Sequence, residues 1–449
     1  MVFNHAFGQS PLVVMYWDAA NNRPAANSPW FNAVCPHPPY CWGFDFNHDN
    51  QATKDFVDRV TSFWLQEYKI DGIRFDYTKG FLNSNSGNSA IRQATIKRIG
   101  DTLWALNPNA HLILEHWADN SEEKALSDYG FLLWGNSTYN FHQAGQGNAQ
   151  SNFSWAYHGA RGWTEPALVS YAESHDEERL MYEVLTYGNT SNVNHNPRQL
   201  ATGLRRAEAV NLFAYLIPGP RMIWMFGELG YDVSINNPCR VCNKPILWNY
   251  YQVPERRRLY DVTAAIFSLR RSHPATFRDG QFTYSFAGTT KRMVFNSSGM
   301  DAMAIGNFAV SAQTIIPAFT ATGVWYDYFS GDSIMVSNVN SGILLKAGEY
   351  RLYTSTKLSQ PQITLNEPEH VAAVSRVYPN PAAGGFWLDA PSDRGTVRLM
   401  DAQGRSVKVW ERSGAEQEYF SLGALSAGWY IVLVELPGGS QRHTLQIQP

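Results

Sequence analysis

Apolar and polar positions follow two rhythms along the chain. Up to about residue 275, β-branched runs alternate with longer stretches whose apolar residues recur at helical spacing, the order of elements in α/β proteins. The runs Ile70–Asp76, His111–Glu115, Phe131–Trp134, Leu168–Ala172 and Arg221–Phe226 predict strands. Ala52–Lys69, with Phe56, Val60, Phe63 and Trp64 at helical spacing, predicts a helix before the first of them, and Asn88–Leu106 and Val262–Arg271 read the same way. From about Asp279 to Tyr353 the pattern shortens to alternating runs such as Gln281–Phe286, Met303–Phe308 and Val324–Phe329, separated by Gly, Asn and Ser, which predicts a small antiparallel β-domain. Ser355–Ser375 is polar and contains Pro, the character of a linker. From about Arg376, short runs including Thr396–Met400 and Trp429–Val434, with a turn at 401–404, predict a second β-module.

Composition narrows the picture by exclusion. The 449 residues exceed a single small module and suit about three compact units, or one large barrel with appendages. Charged residues are only 17% of the chain while Phe, Tyr and Trp number 24, 23 and 15, so this is a globular chain with aromatic surface to spare. The 36 Lys+Arg against 39 Asp+Glu, with no long basic run, exclude nucleic acid as the expected partner. No stretch approaches the roughly 18 apolar residues of a spanning helix. The opening Met1–Ala6 lacks the basic and apolar regions of a signal peptide.

The candidate chemistry lies at strand ends. One apolar run closes at Asp76, a second at Glu115, and Leu168–Ala172 is followed by Glu173-Ser174-His175-Asp176. In a parallel α/β barrel the C-terminal strand ends converge on one face, so carboxylates far apart in sequence can share a pocket. Two converging carboxyls suit glycoside hydrolysis, one as an anion at the oxocarbenium-like centre and the other held protonated for the leaving oxygen. Arg74 lies two residues before Asp76, on the same strand face.

Taken in order, these segments resemble the four short motifs of the α-amylase family of retaining glycoside hydrolases. Val2-Phe3-Asn4-His5 is similar to the end of the first motif, Gly72-Ile73-Arg74-Phe75-Asp76-Tyr77-Thr78-Lys79 to the second, Leu114-Glu115-His116-Trp117 to the third and Ser174-His175-Asp176 to the fourth. Phe44-Asp45-Phe46-Asn47 is similar to the family's additional motif, and Phe226-Gly227-Glu228-Leu229-Gly230 to its eighth strand end. The resemblance implies a (β/α)8 TIM barrel over residues 1–278, incomplete at its start and with a loop domain at about 6–50, then a β-sandwich over 279–354. It implies Asp76 as nucleophile, Glu115 as acid and base, and Asp176 as the carboxylate that grips ring hydroxyls. His5, Arg74, Lys79 and His175 would contact substrate or nucleophile, and Asn4 and Asp45 match positions that hold calcium in some members. The substrate expected is a starch-like α-glucan, with hydrolysis or transglycosylation through the same intermediate.

The chain departs from the family pattern in three places. Leu114 and His116 flank Glu115 where Gly and a small aliphatic residue are usual, and Lys79 is followed by Gly80 where His is common. The chain also opens inside the first motif, so strands one, two and most of three are expected to be missing. A truncated reading frame with exposed sheet edges, or a glucan-binding protein with an incomplete catalytic domain, is the alternative expectation.

At the other end, Val377-Tyr378-Pro379-Asn380-Pro381, Val397–Arg405 and Ala427–Val432 resemble the C-terminal sorting domain of type IX secretion cargo in Bacteroidetes, over residues 376–449 after a linker at 355–375. This implies a secreted or cell-surface protein handled by the type IX machinery. Four cysteines allow three pairings. Export favours disulfides, Cys35 with Cys41 first, while Cys239-Arg240-Val241-Cys242 has the spacing of half a zinc site that Cys35 and Cys41 could complete.

Overall fold

The computed structural model describes residues 1–38, 41–82, 89–364, 375–390, 393–436 and 439–448. The chain forms two compact units, Met1–Thr364 and Leu365–Pro449. The division falls inside the expected linker, of which residues 365–374 lie outside the described residues, as does Asn88 at the start of one expected helix.

The first unit is organised around a four-stranded parallel sheet in sequence order: Gly72–Phe75, His111–Leu114, Leu132–Asn136 and Leu168–Tyr171. Their registers pair Phe75 with Leu114, Leu114 with Leu133 and Trp134 with Val169, so the C-terminal ends lie side by side. A single parallel bridge extends each edge, Val2 to Asp76 and Ser170 to Arg221. Helices cover the sheet. The stripe expected on the first covering helix is not its core face: Phe63 and Trp64 are exposed, and Phe56 and Val60 are only partly buried. Gln51–Glu67 buries Thr53, Val57, Thr61 and Leu65, one stripe at four-residue intervals, and Val57 and Leu65 pack with Ile73, Phe75 and Leu112 in one core. Each such aliphatic side chain contributes roughly 1.5–3 kcal/mol by leaving water. Pro254 and Glu255 start the helix Pro254–Ser272, and Arg270 and Arg271 close it, an arrangement matched to the helix dipole.

The expected strand at Arg221–Phe226 does not form beyond its one bridge. Arg221 bends its guanidinium back onto the carbonyls of Ile217, Pro218 and Ala156, and Phe226 turns left-handed (φ 61°) into the short 3₁₀ turn Gly227–Leu229. Among the described residues no strand pairs on the far side to hold it extended.

The β-domain is a six-stranded antiparallel sheet. Its order is Ser333–Val336, Gly323–Asp327, Tyr350–Thr354, Ala302–Asn307, Thr290–Asn296 and Gln281–Ser285, with a separate pair Gln313–Ile315 and Ile343–Leu345. It shares a core with the helix Leu200–Leu216, where fully buried Phe213 packs against Phe286 and Phe308. The second unit holds a three-stranded and a four-stranded sheet around its own core, including Phe386, Val397, Leu399, Val432 and Leu445.

The four cysteines form two local disulfides, Cys35–Cys41 and Cys239–Cys242. Each pair closes its own loop, with Cys35 bonded to Cys41 as expected first. No helix among the described residues is long and apolar enough to cross a membrane.

Candidate active site

Strand alternation aims the first pair of groups. In Gly72–Phe75, Ile73 and Phe75 are buried beneath the helices, which turns Arg74 and Asp76 to the opposite face. Glu115 follows the next strand directly and donates its backbone N–H to Phe75 O at 3.0 Å. The Arg74 guanidinium then spans both carboxyls, Nη1 at 2.8 Å from Asp76 Oδ1 and Nη2 at 2.6 Å from Glu115 Oε1. Tyr77, left-handed at φ 39°, donates its N–H to Glu115 Oε2 at 3.0 Å. From the third strand Trp134 lays its ring 5.0 Å from the Arg74 guanidinium carbon, within cation–π range.

Glu115 is 3% exposed. Burial raises its pKa to about 7, against the pull of Arg74 and the Tyr77 N–H, and the neighbouring Asp76 carboxyl, which also hydrogen-bonds it, raises it further. A carboxyl poised there gives up and takes back a proton near neutrality.

The fourth strand end completes the cluster. His175 Nε2 lies 3.1 Å from Asp176 Oδ2, and one ligand atom each of Glu115, His175 and Asp176 lie within 4.8 Å of one another. Arg240, carried on the Cys239–Cys242 loop, donates to Asp176 O at 2.7 Å and stands 3.8 Å from Oδ1. Between this loop and the strand end opens a cavity of about 310 Å³ lined by His175, Asp176, Trp224, Tyr231 and Arg240.

His5 enters from a two-residue strand paired with Phe44–Asp45. Burial lowers its pKa, while Asp76 and Asp45 pull it back up, which places it in the field of the same carboxylates. Lys79 stands at the rim, its Nζ 3.3 Å from Trp117 O. All seven expected residues other than the calcium pair thus gather around the ends of adjacent strands.

The calcium pair fits less well. Asp45 has both oxygens engaged, Oδ1 with His37 Nε2 at 2.8 Å and Oδ2 with Asn32 Nδ2 at 2.7 Å. Asn4 Oδ1 is buried without a hydrogen-bond partner, a single free oxygen where calcium takes six to eight. These side chains as arranged do not form a calcium cage.

Three contributors escaped the sequence reading. The Tyr77 N–H is a backbone group whose role depends on a left-handed turn, Trp134 acts through Arg74 on another strand, and Arg240 reaches Asp176 across 64 residues. Only Arg240 carried a local signal, its place inside a Cys-x-x-Cys loop.

Residues 376–448 match the model of the secretion system C-terminal sorting domain. A 1,4-alpha-glucan branching enzyme of Rubrobacter xylanophilus is 24% identical over 258 residues, which cover 52% of this chain and 34% of that enzyme. The chain therefore spans about a third of the length of this curated relative. Among solved structures, an α-amylase from Geobacillus thermoleovorans complexed with acarbose superposes with a TM-score of 0.58 at 14% identity, over 79% of this chain and 76% of that one. A pullulanase from Bacillus acidopullulyticus gives 0.51 at 18% identity, over 70% and 41%. At these identities the structural likeness establishes the fold.

Proposed function

We propose that this chain, an α-amylase-family fold joined to a secretion-system C-terminal sorting domain, acts on the α-glucosidic bonds of starch-like glucans by a retaining double displacement. In the first step the Asp76 carboxylate attacks the anomeric carbon while Glu115 gives its proton to the departing glycosidic oxygen. In the second, Glu115, now ionised, takes a proton from the incoming hydroxyl as its oxygen displaces Asp76. His5, His175 and Asp176 hold ring hydroxyls, and Lys79 contacts the leaving-group side.

The observation that carries this reading is the shared guanidinium. One Arg74 reaches Asp76 and Glu115 together, and carboxyls that close leave no slot for the water that inverting enzymes place between carboxyls about 6.5–9.5 Å apart. Glu115, with its pKa near 7, is matched to alternating acid and base work. Arg74, held between the two carboxyls, balances charge as the proton leaves.

The relatedness to a branching enzyme favours a second reading of the second step, in which the incoming hydroxyl belongs to a sugar and the product is a transferred chain. Export to the cell surface or medium through the type IX pathway follows from residues 376–448.

The test is release of reducing ends and the product pattern from soluble starch and pullulan, with Asp76→Asn beside the parent. Asp76→Asn should lower turnover by about 10³-fold or more, since no carboxylate remains to form the adduct. New linkages without new reducing ends would select transfer. A parent inactive on both polymers, or a variant as active as the parent, refutes the assignment.

A further inference from the structure

His116, the residue after Glu115, sits at a position where the chain departs from the family pattern. It is 0% exposed and belongs to a closed chain of polar contacts behind the carboxyls. Arg92, from the helix Ser89–Leu106, grips Glu122 with Nε at 2.8 Å from Oε1 and Nη2 at 2.5 Å from Oε2. Glu122, on the helix Asn120–Ser127, lies 3.1 Å from His116 Nε2, and His116 Nδ1 lies 2.9 Å from Thr78 Oγ1. With Nε2–H donating to the Glu122 carboxylate, Nδ1 is left to accept the Thr78 hydroxyl proton, for which it lies nearer at 2.9 Å than the other acceptor in reach, the Glu115 carbonyl at 3.2 Å. Burial lowers the His116 pKa against the pull of Glu122, which keeps the ring neutral in that tautomer. For Glu122 burial works upward, but the hydrogen bonds from His116 and Arg92 outweigh it and the pKa is lowered.

The contact joins two strained turns. Tyr77 and Trp117 are both non-glycine residues in the left-handed region, at φ 39° and 48°, a conformation that persists only where the surroundings hold it. Thr78 follows Tyr77, and His116 precedes Trp117. Thr78 also binds the Glu115 carbonyl through its own N–H at 2.8 Å. We propose that His116 is a positioning residue: anchored by Glu122 and Arg92, it fixes Thr78 and with it the Tyr77 turn, and so keeps the Tyr77 N–H on Glu115 Oε2. It touches no substrate. A small aliphatic residue there would fill space but could not accept the Thr78 hydroxyl.

This inference rests on the reading of Glu115 as the acid and base, and its test does not depend on turnover. The full chain is labelled with ¹³C at glutamate carboxyls, Glu115 is assigned by its loss in Glu115→Gln, and its titration is followed in Thr78→Val and Thr78→Ser. Arg74, Asp76, the Met1 ammonium, Tyr171, His175 and Asp176 all face Glu115 and are unchanged in both variants. Thr78→Val, nearly isosteric, should raise the Glu115 midpoint by about one pH unit through loss of the Tyr77 N–H, and Thr78→Ser should keep the parent value. His116→Asn, which keeps an acceptor near Nδ1, should stay nearer the parent than His116→Leu. If the chain turns over, the alkaline limb of kcat moves with the midpoint while KM stays. A folded His116→Leu or Thr78→Val with the parent midpoint overturns the proposal, whatever the activity. A chain inactive on glucans but showing the shift would overturn the function and keep the tie.

Discussion

At the scale of single residues, the site turns on how differently two neighbouring carboxyls are housed. Glu115 is buried and Asp76 partly open, with one arginine between them. The raised pKa of Glu115 has a consequence for stability as well as for proton transfer. From an unfolded value of 4.5 to a folded value of about 7, the folded chain holds a proton that the unfolded chain has lost, so stability falls as pH rises through that window. The contribution is fully present below pH 4.5 and gone above pH 7. Glu115→Gln, which mimics the protonated form, should abolish this slope. At pH 8 it should be more stable than the parent by on the order of 2 kcal/mol, read from denaturant midpoints at pH 5 and 8. Equal slopes for variant and parent would show that the burial of Glu115 is compensated in both charge states. An inactive yet more stable variant would be the mark of a site whose strain serves chemistry.

At the scale of elements, the two strands that carry Asp76 and Glu115 owe their distance to one glycine. A Cβ added at Gly72 would lie 2.1 Å from His111 O, and backbone on the neighbouring strand cannot yield as a side-chain tip can. Gly72→Ala should therefore cost about 1–3 kcal/mol of stability. It should also spread the strand pair, lowering kcat out of proportion to KM, with thermal denaturation and steady-state kinetics on one preparation as the check. These elements are also where the sequence was most and least informative. Apolar runs ending in Asp76 and Glu115 were legible because buried parallel strands need continuous apolar side chains. The apolar run at Arg221–Phe226 misled, since periodicity reports what a segment could pair with and not whether a partner stands beside it. Arg74 was readable because its partner lies two residues away on the same strand. Trp134, Arg240 and the His116 chain were not, because their partners, apart from Glu122 six residues from His116, lie 30 to 64 residues off in contacts that only the fold creates.

At the scale of the molecule, the two units keep separate cores. Phe213, Phe286 and Phe308 knit the β-domain of residues 281–354 to the helices of the first unit, whereas Phe386, Val432 and Leu445 belong to a core within residues 375–448. A chain ending at Thr364 should then keep the activity proposed for the full chain, and the full chain should melt in two calorimetric transitions of which the truncated form retains one. A truncated form that loses activity in proportion to its fold would place part of the first unit's stability in the sorting domain.

The loop Cys239–Cys242 gives these scales a common thread. Its bond spans three positions and leaves every buried cluster untouched, so opening it frees very little chain entropy and the core would scarcely register the change. What it would release is Arg240, the arm that reaches Asp176 over the 310 Å³ cavity. Thiol status should thus tell on the mouth of this cavity and hardly at all on heat resistance. A preparation made in a reducing compartment should be fully folded and still present a different cavity mouth than the oxidised protein does.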